Sequence, residues 1–456
     1  MNEENQKQAR PGIRRVIPFF LALGIMTAIA FCVPLRPERS MMEKRELEKF
    51  PEFSWAALVS GSYFDDITLW FSDTFPGREG WIATASWIQS LHGTSEITIQ
   101  GDLPIPETIP QIPEPDMEAE NIENETQEET AAETEAPEVT EETVPQETGW
   151  GGVDAGHQAE IQLGAVIQIG DTAFNYQGFN KYQSDTYAAA IREFAEKMKE
   201  QGVRVISAPA PTSVGIMVED EYLEALKCAS QDEMIRYMHS VMGDDVVTVD
   251  TYGALVPHND EYIYFRTDHH WTALGAYYSY RAICEALSMT PAELSSFRVW
   301  DQGEFFGSLT YKAARPYQLR SDHVDAYVPQ GDILHMVYDN SSFGVERPLL
   351  QDMTKREVST KYLTFIWSDN PLSVITNRSL PDGPSCILVK DSFGNCLAPF
   401  LTQNYHRVFV VDYRKFTCVK LKTLIEEAGI DDVIFAPYVT ATQSIQGVQM
   451  LSGLTK

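Results

Sequence analysis

Along the C-terminal two-thirds of the chain, stretches with one apolar face at helical spacing take turns with short unbroken apolar runs. Ser184-Asp185 reads as the cap of a helix whose Tyr187, Ala188, Ile191, Phe194, Ala195 and Met198 share a face, and Gly202 ends it. The run at 203–206 reads as a buried strand, and residues 246–250 and 262–265 as two more. Thr272 opens a second helix, with Ala273, Ala276, Tyr277, Tyr280, Ile283, Cys284 and Leu287 on one side. Further strands are predicted at 386–389, 408–411 and 433–435, with a helix ending at Gly429 before the last of them. Strands separated by helices imply an α/β fold, a mostly parallel sheet flanked by helices. Such sheets carry their chemistry at the carboxyl ends of the strands. Residues 293–377 follow neither rhythm, and no elements are assigned there.

The first third is organised differently. Residues 1–15 form a short tail, expected on the cytoplasmic side. Residues 16–35 are twenty positions without a charge, the length a helix needs to cross a bilayer. Phe31 sits where a signal peptidase needs a small residue, so the span is expected to be a retained transmembrane anchor. Residues 36–101 are expected to be a helical membrane-proximal segment. Within them Tyr63, Phe64, Ile67, Trp70 and Phe71 fall on one face, and Trp81, Ile82, Ala85, Ile88 and Leu91 on another. Residues 102–150 are expected to be a disordered acidic tether rich in Pro, Thr and Glu. From Pro104 to Thr148 there is no Lys or Arg, and the carboxylates repel one another along a chain that proline keeps irregular. Residues 151–456 make up the main domain.

Composition sharpens this picture in three ways. With 43% hydrophobic residues, the chain outside the tether has ample material for a core. A balance of 35 Lys and Arg against 66 Asp and Glu, a net charge of −31, excludes a nucleic-acid-binding surface. Six cysteines without a CxxC pair make neither a disulfide framework nor a zinc module, and Cys228, Cys284, Cys386, Cys396 and Cys418 read as small buried apolar residues.

Two motifs carry chemistry. The first, Thr267-Asp268-His269-His270-Trp271-Thr272, lies between a strand and a helix. A hydroxyl nucleophile needs a base, and the base needs a carboxylate to fix its tautomer. In an extended segment Asp268 and His270 project to the same side and His269 to the other. The second is Val389-Lys390-Asp391-Ser392-Phe393-Gly394-Asn395, where an apolar strand runs into Ser392 and then into a helix. A serine on such a turn stands above the sheet, with helix-start N–H groups beside it for an oxyanion. The sequence is not GxSxG, so an α/β-hydrolase is not indicated.

The run TDHHWTALGAYYSY resembles the signature of the bacterial DHHW proteins, which are similar to the SGNH-hydrolase-like proteins of alginate O-acetylation. Glu46-Leu47, Phe53, the turn Asp73-Thr74-Phe75-Pro76-Gly77-Arg78, Ala208-Pro209-Ala210-Pro211-Thr212-Ser213 and Asp391-Ser392-Phe393-Gly394-Asn395 follow the family pattern in order. The resemblance implies an SGNH-hydrolase-like domain in which Ser392 is the nucleophile, His270 the base and Asp268 its orienter. Asn395, His269 and Trp271 are candidates for oxyanion or substrate contacts. It also implies an exported domain on a single-pass anchor in the cell membrane, the N-terminus inside and the main domain outside. Lys390-Asp391 stands where the usual hydrolase block has Gly-Asp, and separate Gly and Asn blocks are absent from the sequence.

The activity this points to is O-acyl transfer, specifically O-acetylation of a cell-surface or exported polysaccharide. No cofactor is expected, and the acetyl group would come from a membrane-bound O-acyltransferase partner. Three other readings remain open on the sequence. The same residues would serve a carbohydrate esterase with water as acceptor. The domain would also suit a catalytically silent polysaccharide-binding or scaffold protein, with Tyr262, Tyr264, Phe265, Trp271, Tyr277 and Tyr278 stacking on sugars. Finally, Asp268, His269, His270 and His258 offer metal ligands, but adjacent histidines in an extended segment diverge, so no metal is assigned.

Overall fold

The computed structural model describes residues 165–341 and 343–456. Before them it describes only residues 39–40, 45–46, 49–51, 53–55, 63–64, 67, 70–71, 74–75, 97–100 and 107–111. The apolar span at 16–35 and the acidic residues 112–150 lie outside the described residues. Among the described residues no helix is long and apolar enough to cross a membrane.

A small antiparallel sheet joins Ile97–Gln100 (β1), Val166–Ile169 (β2) and Thr172–Asn175 (β3). The segment at 36–101, expected to be helical, therefore also contains strands: residues 97–100 pair with the main domain, and Arg39–Ser40 pairs with Arg45–Glu46. Residues 107–111 also meet the domain. Glu107 accepts a hydrogen bond from the Lys181 N–H at 2.8 Å, and Ile109 packs against the core.

The main sheet follows from Arg204–Ser207 (β4) and Val246–Thr248 (β5). A separate hairpin, Arg298–Phe305 (β6) and Asp322–Val328 (β7), leads to Ile333–Tyr338 (β8), Val345–Glu346 (β9) and Leu372–Asn377 (β10). Ser385–Lys390 (β11), Arg407–Asp412 (β12) and Asp432–Ala436 (β13) complete it. The order is β9-β8-β10-β12-β11-β13-β4-β5, with β12, β11, β13, β4 and β5 parallel to one another and an antiparallel extension on the other side. All residues of β11 and β13 are buried, as strands covered by helices on both faces must be.

The flanking helices include Lys181–Lys199 (α1), Gln231–Ser240 (α2), Ala273–Ala286 (α3), Gly394–Leu401 (α4), Leu421–Ala428 (α5) and Ile445–Leu454 (α6). Two start signals resolve differently. Thr272 caps α3 as expected, its hydroxyl accepting from the Gly275 N–H. Helix α1 instead starts a turn earlier than Ser184, because Asn180 supplies the capping oxygen to the Gln183 N–H. Residues 262–265 are not a strand: only Tyr264 bridges to Trp271. Of the cysteines, Cys284, Cys386 and Cys396 are buried as expected, Cys228 is partly so, and Cys418 is exposed.

Candidate active site

Strand β11 ends at Lys390, and the chain turns through Asp391-Ser392-Phe393 into α4. The turn is held by the buried Asp391, whose carboxylate accepts from the N–H groups of Phe393 (3.0 Å) and Tyr438 (2.8 Å) and from the Tyr413 hydroxyl (3.2 Å). Burial raises the Asp391 pKa. Among the described residues the Ser392 N–H gives no hydrogen bond.

The Asp268 loop meets this turn through His270 and Trp271. Its neck is closed by backbone bonds from Phe265 to His270 and from Thr272 to Ile263. Asp322, on β7, holds it from below: its carboxylate accepts from the Arg266 N–H (2.9 Å), the Thr267 N–H (2.7 Å), the Thr267 hydroxyl (2.5 Å) and the Tyr262 hydroxyl (2.7 Å). Gly307 lies so close to Asp268 that a Cβ there would stand 2.2 Å from the Asp268 Cβ. With no side chain in the way, the next N–H, of Ser308, donates to Asp268 Oδ2 at 2.7 Å.

The result is an unbroken hydrogen-bonded series. Asp268 Oδ1 is 2.5 Å from His270 Nδ1, and His270 Nε2 is 2.6 Å from Ser392 Oγ. Asp268 is buried, which opposes its charge, but His269, His270 and the Ser308 N–H outweigh burial and hold it well below the usual carboxylate range. Tyr362 lies flat against the His270 ring, 4.1 Å between centroids and 12° between planes, and its hydroxyl donates to the Ser392 carbonyl at 2.8 Å.

Three expected contacts fall out differently. Trp271 is fully buried and its indole N–H donates to the Phe393 carbonyl at 2.9 Å, so it braces the serine turn rather than facing substrate. Asn395 is buried and turned inward: its Oδ1 accepts from Lys390 Nζ at 2.6 Å and its Nδ2 donates to Asp369 at 2.9 Å. The loop at 266–270 is bent rather than extended, so His269 does not diverge from His270: their rings are 3.9 Å apart. Ligand atoms of Asp268, His269 and His270 consequently lie within 4.8 Å of one another, close enough to share a metal, although both His270 nitrogens already have partners. Of the aromatic residues considered for sugar stacking, all but Tyr262 are buried in the core.

Sequence reasoning missed Tyr362, Ser308, Asp322 and the charged group beneath the serine. There Lys390, Asp369, Asp412 and Arg414 form a buried network, with Lys390 Nζ 3.1 Å from Asp369 and 3.2 Å from Asp412. Arg414 pairs with both carboxylates, at 2.9 Å and 2.6 Å. Burial opposes the charge of Asp369, yet Lys390 and Arg414 hold its pKa well below normal. Asp369 gets there through three consecutive left-handed residues, Ile366, Trp367 and Ser368 (φ 43°, 57° and 73°), whose carbonyls all accept from Asn370 Nδ2. The only signal for this in the sequence was the unexpected lysine before Asp391. A cleft of about 350 Å³ opens beside Tyr262, Arg266 and Arg320, but Asp268, His270 and Ser392 do not line it.

Comparisons with known proteins give the family and the fold. The family model described as "DHHW protein" matches residues 43–411. The chain belongs to the DHHW family. A DHHW family protein from Eubacterium siraeum is 27% identical and superposes with a TM-score of 0.55, covering 63% of this chain and 94% of that chain. Bacillus cereus PatB1 is 16% identical with a TM-score of 0.50, covering 61% and 96%; it has also been solved with a sulfonyl adduct. The O-acetyltransferase domain of Pseudomonas putida AlgJ is 14% identical with a TM-score of 0.37, covering 62% and 96%. No curated protein matches.

Histidines in this DHHW protein make its stability sensitive to acid. Burial pushes the pKa of His239 and His335 down to about 4. Burial, with repulsion from His270, pushes His269 down to about 3. All three are depressed below the unfolded value of about 6.5, so below that pH the unfolded chain binds protons that the folded chain does not. Their contribution is intact above about pH 6.5 and is lost as pH falls towards 4, at roughly 1.4 kcal/mol per pH unit for each. Burial raises the pKa of Asp322 and Asp391, which has the opposite sign and offsets part of the loss at lower pH. The urea midpoint is therefore expected to fall steeply between pH 7 and 5. A flat midpoint over that range would show that these histidines are protonated in the folded protein.

Proposed function

We propose that this protein is a serine-dependent O-acyltransferase, an O-acetyltransferase of a cell-surface or exported polysaccharide, held outside the membrane by an anchor at residues 16–35. The observation that carries the reading is the Asp268–His270–Ser392 series at the carboxyl end of β11, with 2.5 Å and 2.6 Å links. The acetyl group and the polysaccharide follow from the resemblance of the Asp268 and Ser392 motifs to alginate O-acetylation proteins.

In the first half-reaction, Ser392 Oγ attacks the acetyl carbonyl while His270 Nε2 takes its proton. Asp268 keeps the proton of neutral His270 on Nδ1 and stabilises the cation that forms. The Ser392 N–H, without a partner among the described residues, meets the developing oxyanion. His270 then gives its proton to the departing donor, a membrane-bound O-acyltransferase or its carrier, leaving acetyl-Ser392. In the second half, a sugar hydroxyl loses its proton to His270 and attacks the acetyl carbon. Ser392 departs and takes the proton back.

PatB1, whose fold this chain shares, accepts a sulfonyl group in its adduct. The direct test is therefore to treat the full-length protein in detergent with a sulfonyl fluoride or with p-nitrophenyl acetate and to locate the label by peptide mass spectrometry. Label on Ser392, absent from Ser392→Ala, is expected. Equal labelling of both forms would remove Ser392 as nucleophile. Acetate release without transfer to any sugar would favour the esterase.

A further inference from the structure

His269 carries the one imidazole nitrogen at this centre that has nothing to do. Its Nδ1 is 2.8 Å from Ser308 Oγ and 3.5 Å from Asp268 Oδ1. A carboxylate that close favours the proton on Nδ1, which leaves a lone pair on Nε2. Nε2 has no partner among the described residues, and the side chain is 20% exposed. The ring lies 3.9 Å from that of His270, inclined by 37°, and 6.0 Å from Phe393, the residue after Ser392. Both imidazoles turn Nδ1 towards the same Asp268 oxygen, at 2.5 Å for His270 and 3.5 Å for His269, and the ring beside His269 is the one whose Nε2 meets Ser392.

Resting on the acyltransferase reading above, we propose that His269 Nε2 accepts a hydrogen bond from a hydroxyl of the acceptor sugar and so favours a vicinal diol over water or a simple alcohol. A pyranose diol brings two O–H donors side by side, and the centre offers two acceptors side by side. One hydroxyl loses its proton to His270, its oxygen bonds to the acetyl carbon, and the bond to Ser392 Oγ breaks. The neighbouring hydroxyl donates to His269, which takes up no proton. Burial keeps His269 neutral, its pKa pushed down to about 3, so the lone pair is present throughout the neutral range. Ser308 is the positioning residue, since its hydroxyl is the direct partner of Nδ1.

The test uses the full-length protein, His269→Ala and His269→Gln, with p-nitrophenyl acetate as donor. Acceptors are an oligosaccharide with free vicinal diols and, separately, methanol. The burst of p-nitrophenol counts acylated serines, and the ratio of new ester to free acetate reports the acceptor step. The proposal expects the ratio for the diol to fall about tenfold in His269→Ala, the worth of one hydrogen bond. The methanol ratio should fall much less, and Gln, whose carbonyl also accepts, should restore part of the diol ratio. An unchanged diol ratio, or equal falls for diol and methanol, overturns this assignment alone. Absence of any burst at Ser392 in the unsubstituted protein overturns the acyltransferase reading and this inference with it.

Discussion

Replacing Ser392 or His270 by Ala is expected to lower acyl transfer by on the order of 10⁴-fold or more, and replacing both should be hardly worse than either alone. The reason is geometric. His270 Nε2 stands 2.6 Å from Ser392 Oγ, so the proton leaves the hydroxyl as the bond to carbon forms, and neither residue does its half without the other. Asp268→Asn tests the third member. Asp268 Oδ1 is 2.5 Å from His270 Nδ1, while Oδ2 accepts from the Ser308 N–H. An amide presents its NH₂ to one of these two groups and is repelled there. If the oxygen stays with Ser308, the NH₂ faces Nδ1, the imidazole proton moves to Nε2, and the base is lost. A fall of roughly 10³- to 10⁴-fold is expected in a variant that still folds. Activity in Asp268→Asn within tenfold of the unsubstituted protein would mean that Tyr362 and the loop alone hold the imidazole in its working tautomer. Full activity in Ser392→Ala would remove the covalent route entirely.

The largest effect on stability is expected at Lys390. It is wholly buried, and its ammonium is the centre of a network containing Asp369, Asp412, Arg414 and Asn395. Among the described residues Lys390 is the one wholly buried cation beside the buried Asp369 and Asp412, since Arg414 is partly exposed, and removing it leaves a carboxylate in the interior without a full counter-charge. Breaking such a group costs about 3–5 kcal/mol. Lys390→Met should therefore lower the urea midpoint by an amount of that order. Adding Asp369→Asn restores neutrality and should recover much of the loss, because an uncompensated charge, rather than lost packing, causes it. A second readout separates stability from chemistry. Lys390 holds Asn395 at the first turn of α4, and a Cβ on Gly394 would stand 2.4 Å from Lys390 Cβ, so the lysine stem packs directly under the serine turn. Lys390→Met is thus expected to slow acylation even where the protein is folded. A midpoint unchanged by Lys390→Met would mean that Arg414 alone is a sufficient counter-charge for the two carboxylates.

Residues whose role depends on near neighbours were legible. The unbroken apolar runs of β11, β12 and β13 are buried on both faces, so their pattern announces them without knowledge of their partners, whereas β4 begins on the exposed Arg204. Thr272 and Gly429 mark helix ends through bonds to atoms a few residues away. Residues 293–377 were opaque because their strands are partly exposed and irregular: β6 has only two buried residues in eight and a register shift between Asp301 and Glu304.

The sequence by itself determined the α/β order, the strand-to-helix turn that raises Ser392, and the placing of Asp268 and His270 together in one short loop. Each follows from periodicity, caps or local spacing. Only the tertiary structure decided that these two motifs meet, since His270 and Ser392 are 122 positions apart. It also decided that the Asp268 loop bends and brings His269 beside His270. Asp322, more than fifty positions further on, draws in the N–H groups of Arg266 and Thr267, and Gly307 makes room for Asp268. Tyr362 on the imidazole and the charges around Lys390 have the same origin. Their partners lie on distant segments, and a hydrogen bond or ion pair between distant segments leaves no period in the chain that encodes it.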